Sequence, residues 1–180
     1  MQLQNLATYT DIVKATNDFD RSFCIGRGRQ GNVYKIELPC GATVVVKNIC
    51  SLSFDLNITA YLKQVRALSE NKHRNMVKLL RYLNGGTYFL LIYAYSRNGS
   101  LSAILESDEA AEQLGWYRWV TIIKGVALAL SYLHHDCAPP IVHRDISSKN
   151  VLIDDNYEAH VSDFGTCKTS RLDSSEELQL

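Results

Sequence analysis

Net charge is what this sequence most plainly lacks: among 180 residues, 19 lysines and arginines balance 19 aspartates and glutamates. A surface built on bulk positive charge, the kind that holds nucleic acid or an anionic membrane, is thereby excluded. A disulfide framework is lacking too. The five cysteines, at 24, 40, 50, 137 and 167, are odd in number and include no CxxC pair, so they read as reduced thiols. The opening residues, MQLQNLATYTDIVK, contain no basic cluster followed by an apolar run, and hence no visible signal peptide. The longest apolar stretch, 119–133, is interrupted by Lys124 and is too short to span a bilayer, which predicts no direct membrane insertion. His134, His135, Cys137 and His143 lie close in sequence, but they straddle Pro139-Pro140 without a zinc-ligand spacing. Repeats and low-complexity tracts are absent as well.

What is present is a folding composition, 46% hydrophobic and 21% charged. The first twenty residues predict a short helix around Ile12, Val13 and Ala15, ended by Thr16-Asn17-Asp18. From residue 23 the pattern becomes that of strands. Val33, Tyr34, Ile36 and Leu38 lead into the turn Pro39-Cys40-Gly41 and then Thr43-Val44-Val45-Val46, a hairpin. Leu62, Val65 and Leu68 predict a helix over 54–71, and the apolar runs 77–82 and 88–93 flank Asn84-Gly85-Gly86 as a second hairpin. After a linker at 97–100 the pattern is mainly helical. Trp119, Ile122, Ile123, Val126, Leu130 and Leu133 share one helical face, and short apolar runs follow at 141–142, 151–153 and 160–161.

Four local signals carry chemistry. Gly26-Arg27-Gly28-Arg29-Gln30-Gly31-Asn32-Val33 has glycines in a dinucleotide-site spacing, but a strand follows them where that site needs a helix. They therefore belong to a β-turn-β loop able to offer backbone N–H groups to phosphates. Lys47 closes the Val-Val-Val strand sixteen residues later; a lysine there ordinarily marks a solvated terminus, but after a glycine loop it can lie beneath it and neutralise phosphate. His143-Arg144-Asp145-Ile146-Ser147-Ser148-Lys149-Asn150 and Asp163-Phe164-Gly165 supply a base, a second cation and two oxygen ligands suited to Mg²⁺.

In this order and spacing the stretches ATNDF, IGRGRQGNVYK, HRNMVKL, SYLHHDCAPPIVHRDISSKNVLID and EAHVSDFGT resemble a eukaryotic protein kinase domain, and in particular the plant leucine-rich-repeat receptor-like serine/threonine kinases. The resemblance implies an α+β, two-lobed kinase-like fold with an antiparallel β-rich N-lobe containing one helix and a truncated, mainly helical C-lobe. It divides the chain into a juxtadomain segment at 1–19, an N-lobe at 20–96 and a partial C-lobe at 97–180. It implies ATP and Mg²⁺ as cofactors. Gly26, Gly28, Gly31 and Val33 would cover the nucleotide, with Lys47 on its α/β-phosphates and Gln64 beside that lysine. Asp145 would take the proton of the substrate hydroxyl, Lys149 would steady the transferring phosphoryl group, and Asn150 and Asp163 would hold the metal. Arg144 resembles the arginine that pairs with a phosphorylated activation loop in relatives. The implied partners are a protein substrate with Ser or Thr hydroxyls and a full-length receptor kinase. The implied place is the cytoplasmic side of the plasma membrane, or the cytoplasm if no receptor is attached.

Departures from the family pattern bear on activity. Gln64 stands where the family has a glutamate paired with the lysine; it can accept a hydrogen bond but cannot neutralise Lys47. Val45 replaces the usual alanine above the adenine, Ala94 the usual acidic hinge residue, and no APE-like sequence follows Asp163-Phe164-Gly165. The missing later helices predict an uncovered apolar face on the helix bearing Trp119, Ile122, Val126 and Leu130, and a poor kinase. Two readings follow: an ATP-dependent serine/threonine kinase domain, or a non-catalytic kinase-like module that binds nucleotide or a partner. Ser147, two positions after Asp145, is a lysine in many serine/threonine kinases, whereas Lys149 stands where many tyrosine kinases have arginine. The likeness of HRDISSKN to the receptor-like kinases favours serine and threonine.

Overall fold

The computed structural model describes residues 7–28, 31–50, 73–85, 88–164 and 167–169. The chain divides into two compact units, one of Met1–Glu70 with Lys78–Tyr95, the other of Asn71–Val77 with Ser96–Leu180. The helix expected over 54–71, with Gln64, lies outside the described residues.

The first unit opens with a helix, Tyr9–Ala15, started by a reciprocal capping box between Thr8 and Asp11. The Asp11 N–H donates to Thr8 Oγ1 at 3.2 Å and the Thr8 N–H to Asp11 Oδ2 at 2.8 Å, satisfying two groups that a helix start leaves bare. The helix ends where Thr16 Oγ1 donates back to the Ile12 carbonyl at 2.8 Å, and Asn17 and Asp18 then take left-handed φ values of 48° and 56°. Short polar side chains tolerate that region, so the predicted stop is also the physical one.

Five strands follow: β1 (Cys24–Gly28), β2 (Gly31–Glu37), β3 (Thr43–Cys50), β4 (Leu79–Asn84) and β5 (Tyr88–Ala94). They form one antiparallel sheet in the order β1-β2-β3-β5-β4. Alternation sorts their side chains. Tyr34, Ile36, Leu38, Val44, Val46, Leu90 and Ile92 pack with Ala7 and Ile12 of the N-terminal segment into one core. Ile49 and Leu91 make a smaller cluster with Leu79, Phe89 and Tyr93. Lys47 does not end its strand: β3 continues through Cys50, paired with β5 from Leu91 to Tyr88, and Lys47 is buried. Val77 also departs from expectation. Its N–H donates to the Val161 carbonyl at 2.9 Å in the second unit, so the hairpin begins at Leu79.

The second unit carries short helices at Leu101–Leu105 and Asp108–Glu112, a long helix at Trp116–Ser131, and a π-helical turn at Tyr132–Asp136. The remaining strands are β6 (Ile141–Val142), β7 (Val151–Ile153), β8 (Ala159–Val161) and β9 (Lys168–Thr169), with β6 paired to β9 and β7 to β8. Leu101, Ile104, Leu114, Ile122, Val151, Ile153 and Ala159 form its core, with Trp119, Val126 and Tyr157 against it. Gly125 lets the long helix lie close: a Cβ there would sit 2.9 Å from Asn75 Nδ2 and 3.2 Å from Ala159 Cβ. Asn75 is buried and donates to the Ala159 carbonyl at 2.9 Å.

The long helix keeps part of its apolar surface uncovered, mostly away from the side that carries Ile122. Ile122 is buried and Trp119, Val126 and Leu130 are partly so. The exposed side chains are Trp116 at 77%, Tyr117 at 87% and Ile123 at 62%, with Val120 and Leu128. Ile123 thus leaves the face it shares by periodicity with Ile122, because the core takes up the other side of the helix.

Candidate functional site

In the first unit the residues singled out by sequence fall into one cross-strand row. Gly26 on β1 stands opposite Val33 on β2, Val33 opposite Lys47 on β3, and Lys47 opposite Leu91 on β5. Directly opposed residues of a ladder share a face, so Val33 and Lys47 lie side by side on the face opposite the core of the N-terminal helix. The three glycines differ in what the fold asks of them. Gly31 has φ +146°, and a Cβ there would run into the backbone carbonyl of Asn48. Sheet packing alone therefore requires it. At Gly26 the nearest atom to an added Cβ is Val33 Cβ at 3.7 Å, and at Gly28 it is the Gly31 carbonyl oxygen at 3.7 Å. Both are ordinary contacts, so the fold leaves these two free to be glycine for another reason, such as close approach of a ligand to the backbone.

In the second unit the loop 143–150 runs from β6 into a 3₁₀ turn, Ser148–Asn150. Four residues close a ring of hydrogen bonds. The Asp145 N–H donates to His143 Nδ1 at 3.3 Å, which makes Nδ1 an acceptor and puts the imidazole proton on Nε2. Nε2–H then donates to the Ser162 carbonyl at 2.9 Å. The Ser162 N–H and Oγ–H both donate to the Asn150 carbonyl, at 2.8 and 3.1 Å. Asn150 Nδ2 donates to the Asp145 carbonyl at 2.9 Å and to its carboxylate Oδ2 at 3.0 Å, closing the ring.

His143 is almost fully buried and its ring meets Phe164 edge-on, centroids 5.5 Å apart. Burial holds its pKa below the usual imidazole value, against the opposing pull of the Ser162 carbonyl, Asp163 and Asp145. The neutral Nε2–H tautomer is the one the ring of bonds uses. Arg144 and Asp163 take left-handed backbone conformations, φ 68° and 61°. Such strain is held only where the surroundings over-determine it; here the bonded residues His143, Asp145 and Ser162 flank both. Asp145 and Lys149 are exposed, and Asn150 and Asp163 are half-buried.

This donor set fits a hard divalent ion. Asn150 has committed its amide N–H₂ to Asp145, which turns its Oδ1 into the remaining acceptor, and Asp163 follows Ser162 directly. Amide and carboxylate oxygens are Mg²⁺ ligands, completed in such sites by phosphate and water. The structure thus brings Asp145, Asn150 and the residue before Asp163 into one bonded cluster, and Val33, Gly26 and Lys47 into another. Gln64 lies outside the described residues. Ser162 is the member that sequence reasoning passed over; a serine before Asp-Phe-Gly carries no signal until its three bonds are seen.

Comparison with known proteins converges on one family. The profile described as protein tyrosine and serine/threonine kinase matches residues 20–179. MDIS1-interacting receptor like kinase 2 of Arabidopsis thaliana is 45% identical over 172 residues, covering 93% of this chain and 16% of that protein. The LRR receptor-like serine/threonine-protein kinases GSO1 of Arabidopsis thaliana and SIK1 of Oryza sativa subsp. japonica are 42% and 38% identical, covering 89% of this chain in each case and 13% and 16% of theirs. The chain therefore spans 13–16% of the length of these relatives. Among solved structures, the pseudokinase domain of BIR2, an immune regulator of the RLK/Pelle family, is similar at TM-score 0.73 and 33% identity, over 87% of this chain and 47% of that one.

Proposed function

Because this chain belongs to the protein tyrosine and serine/threonine kinase family and has the kinase-like fold, we propose that it transfers the γ-phosphate of ATP to serine or threonine hydroxyls of a protein substrate, as the phosphotransfer part of a receptor-like kinase. The observation that carries this reading is the bonded ring of His143, Asp145, Asn150 and Ser162, which ties the exposed Asp145 carboxylate to the Asn150 amide and to the residue before Asp163.

In this reading Gly26, Gly28, Gly31 and Val33 cover the nucleotide and Lys47 neutralises its α/β-phosphates, with Gln64 near the lysine. Asp145 accepts the proton of the substrate hydroxyl as its oxygen bonds to the γ-phosphorus and the bond to ADP breaks. Lys149 offsets charge on the phosphoryl group in flight. Asn150 and Asp163 hold Mg²⁺, whose chemistry when bound is to neutralise and align phosphate oxygens. Lys47 stands opposite Val33 on the sheet face away from the core of the N-terminal helix, which supports the reading. The relatives' names support serine and threonine over tyrosine. They also support a place on the cytoplasmic side of the plasma membrane, beside a full-length receptor kinase; among the described residues no helix is long and apolar enough to cross a membrane.

One specific observation favours a second reading, a non-catalytic nucleotide- or partner-binding module: the likeness to the BIR2 pseudokinase domain. Gln64 in place of the family's glutamate points the same way. Measuring Mg-ATP binding beside phosphorylation of serine, threonine and tyrosine peptides separates the two. Transfer to serine or threonine, lost in Asp145→Asn with binding retained, supports the enzyme. Binding with no transfer supports the module, and no binding at all removes both nucleotide readings.

A further inference from the structure

Ser162 belongs to none of the motifs that point to phosphotransfer, yet it makes three of the ring's six hydrogen bonds. Its carbonyl takes the His143 proton at 2.9 Å, and its N–H and Oγ–H fill both lone pairs of the Asn150 carbonyl at 2.8 and 3.1 Å. Asn150 ends the 3₁₀ turn Ser148–Asn150, where a carbonyl has no partner within the turn. The orientation of that peptide is set from outside, by Ser162. From Asn150 the constraint passes through Nδ2 to the Asp145 carboxylate at 3.0 Å, and from His143 through Nδ1 to the Asp145 N–H at 3.3 Å. Two routes from one serine thus converge on Asp145, while Asp163 is its covalent neighbour, turned by a left-handed φ of 61°.

We infer that Ser162 is a positioning residue whose hydroxyl holds Asn150 and Asp163 in register as a pair of oxygen ligands. The inference rests on the nucleotide-binding reading above. Alanine at 162 removes only the Oγ bond and leaves both backbone bonds in place, so the fold survives and the register is what loosens. Threonine keeps the hydroxyl.

The test uses the 180-residue chain and ATP, with and without Mg²⁺, in titration calorimetry, beside amide hydrogen exchange at Asp145. Loss of one net hydrogen bond corresponds to a weakening of roughly threefold to tenfold. Ser162→Ala is expected to weaken Mg-ATP binding by that factor, to leave metal-free ATP binding within about twofold, and to speed exchange of the Asp145 amide. Ser162→Thr is expected to restore all three. Unchanged Mg-ATP affinity in the alanine variant, equal losses with and without Mg²⁺, or no rescue by threonine overturns the positioning role and leaves the nucleotide reading standing. Absence of ATP binding by the unsubstituted chain overturns that reading, and the role with it.

Discussion

His143 Nδ1 accepts the backbone N–H of Asp145 while the other nitrogen of the same ring donates to Ser162, 19 residues away. A buried imidazole therefore sets the backbone direction of the exposed carboxylate that follows it. His143→Phe keeps the bulk and the contact with Phe164 but abandons both bonds, leaving the part-buried Asp145 N–H and Ser162 carbonyl without the imidazole. The expected cost is about 2–4 kcal/mol of stability, read as a lower urea midpoint at unchanged slope.

The glycines should separate by experiment. Gly31→Ala places a methyl against the Asn48 carbonyl at a φ that L-residues avoid, so its melting temperature should fall by an amount equivalent to about 1–3 kcal/mol. Gly26→Ala and Gly28→Ala meet no contact closer than 3.7 Å. Their melting temperatures should stay near that of the parent while ATP affinity drops. Equal destabilisation by all three would show that the loop is wholly structural.

Ile12 lies outside the residues matched by the kinase profile, which begin at 20, yet it is fully buried against the sheet. Ile12→Ala should cost about 2–5 kcal/mol, as for other buried large-to-small changes. Denaturant unfolding measures this, and a change under 1 kcal/mol, on the order of an exposed-site substitution, would show that the N-terminal helix is a loose appendage.

Asp154 supplies a pH dependence. Burial raises its pKa, but the Glu158 N–H, His160 and the Asn156 N–H, all bonded to the carboxylate, outweigh that and hold it below the usual carboxylate value. A folded pKa below the unfolded one means the unfolded chain binds more protons through that range, so the stabilisation is present above the ordinary value and lost as pH falls through the lowered one. Asp154→Asn should therefore be less stable than the parent at pH 7. The gap should close on acidification to pH 3 and below, checked by urea midpoints across that range.

Much of the architecture was legible locally. Alternation at 33–38 is a period of two, and with the apolar runs at 43–46, 77–82 and 88–93 it predicts two hairpins whose turns the glycines and Pro39 mark. Thr16-Asn17-Asp18 predicts the stop of the first helix because Asn17 and Asp18 suit the left-handed backbone that follows Thr16. The errors came where two partners compete for one segment. The run 77–82 looks continuous, but the Val77 N–H bonds to Val161 rather than to the hairpin. Lys47 looks like a strand end because three valines precede it, yet β5 continues to pair with Asn48, Ile49 and Cys50.

The sequence by itself determined the family and the residue types at the candidate site. Glycine spacing before a strand, His-Arg-Asp five residues ahead of Asn150, and Asp-Phe-Gly are covalent facts, and their order along the chain is enough to recognise them. Only the tertiary structure decided which glycine the sheet demands, which side of the long helix stays exposed, and that Ser162 binds His143 to Asn150. Each of those depends on how closely backbones distant in sequence approach one another. A Cβ that collides with a neighbouring strand or a carbonyl oriented by a remote serine leaves no periodic trace, because the partner's position is set by packing and not by the residues beside it.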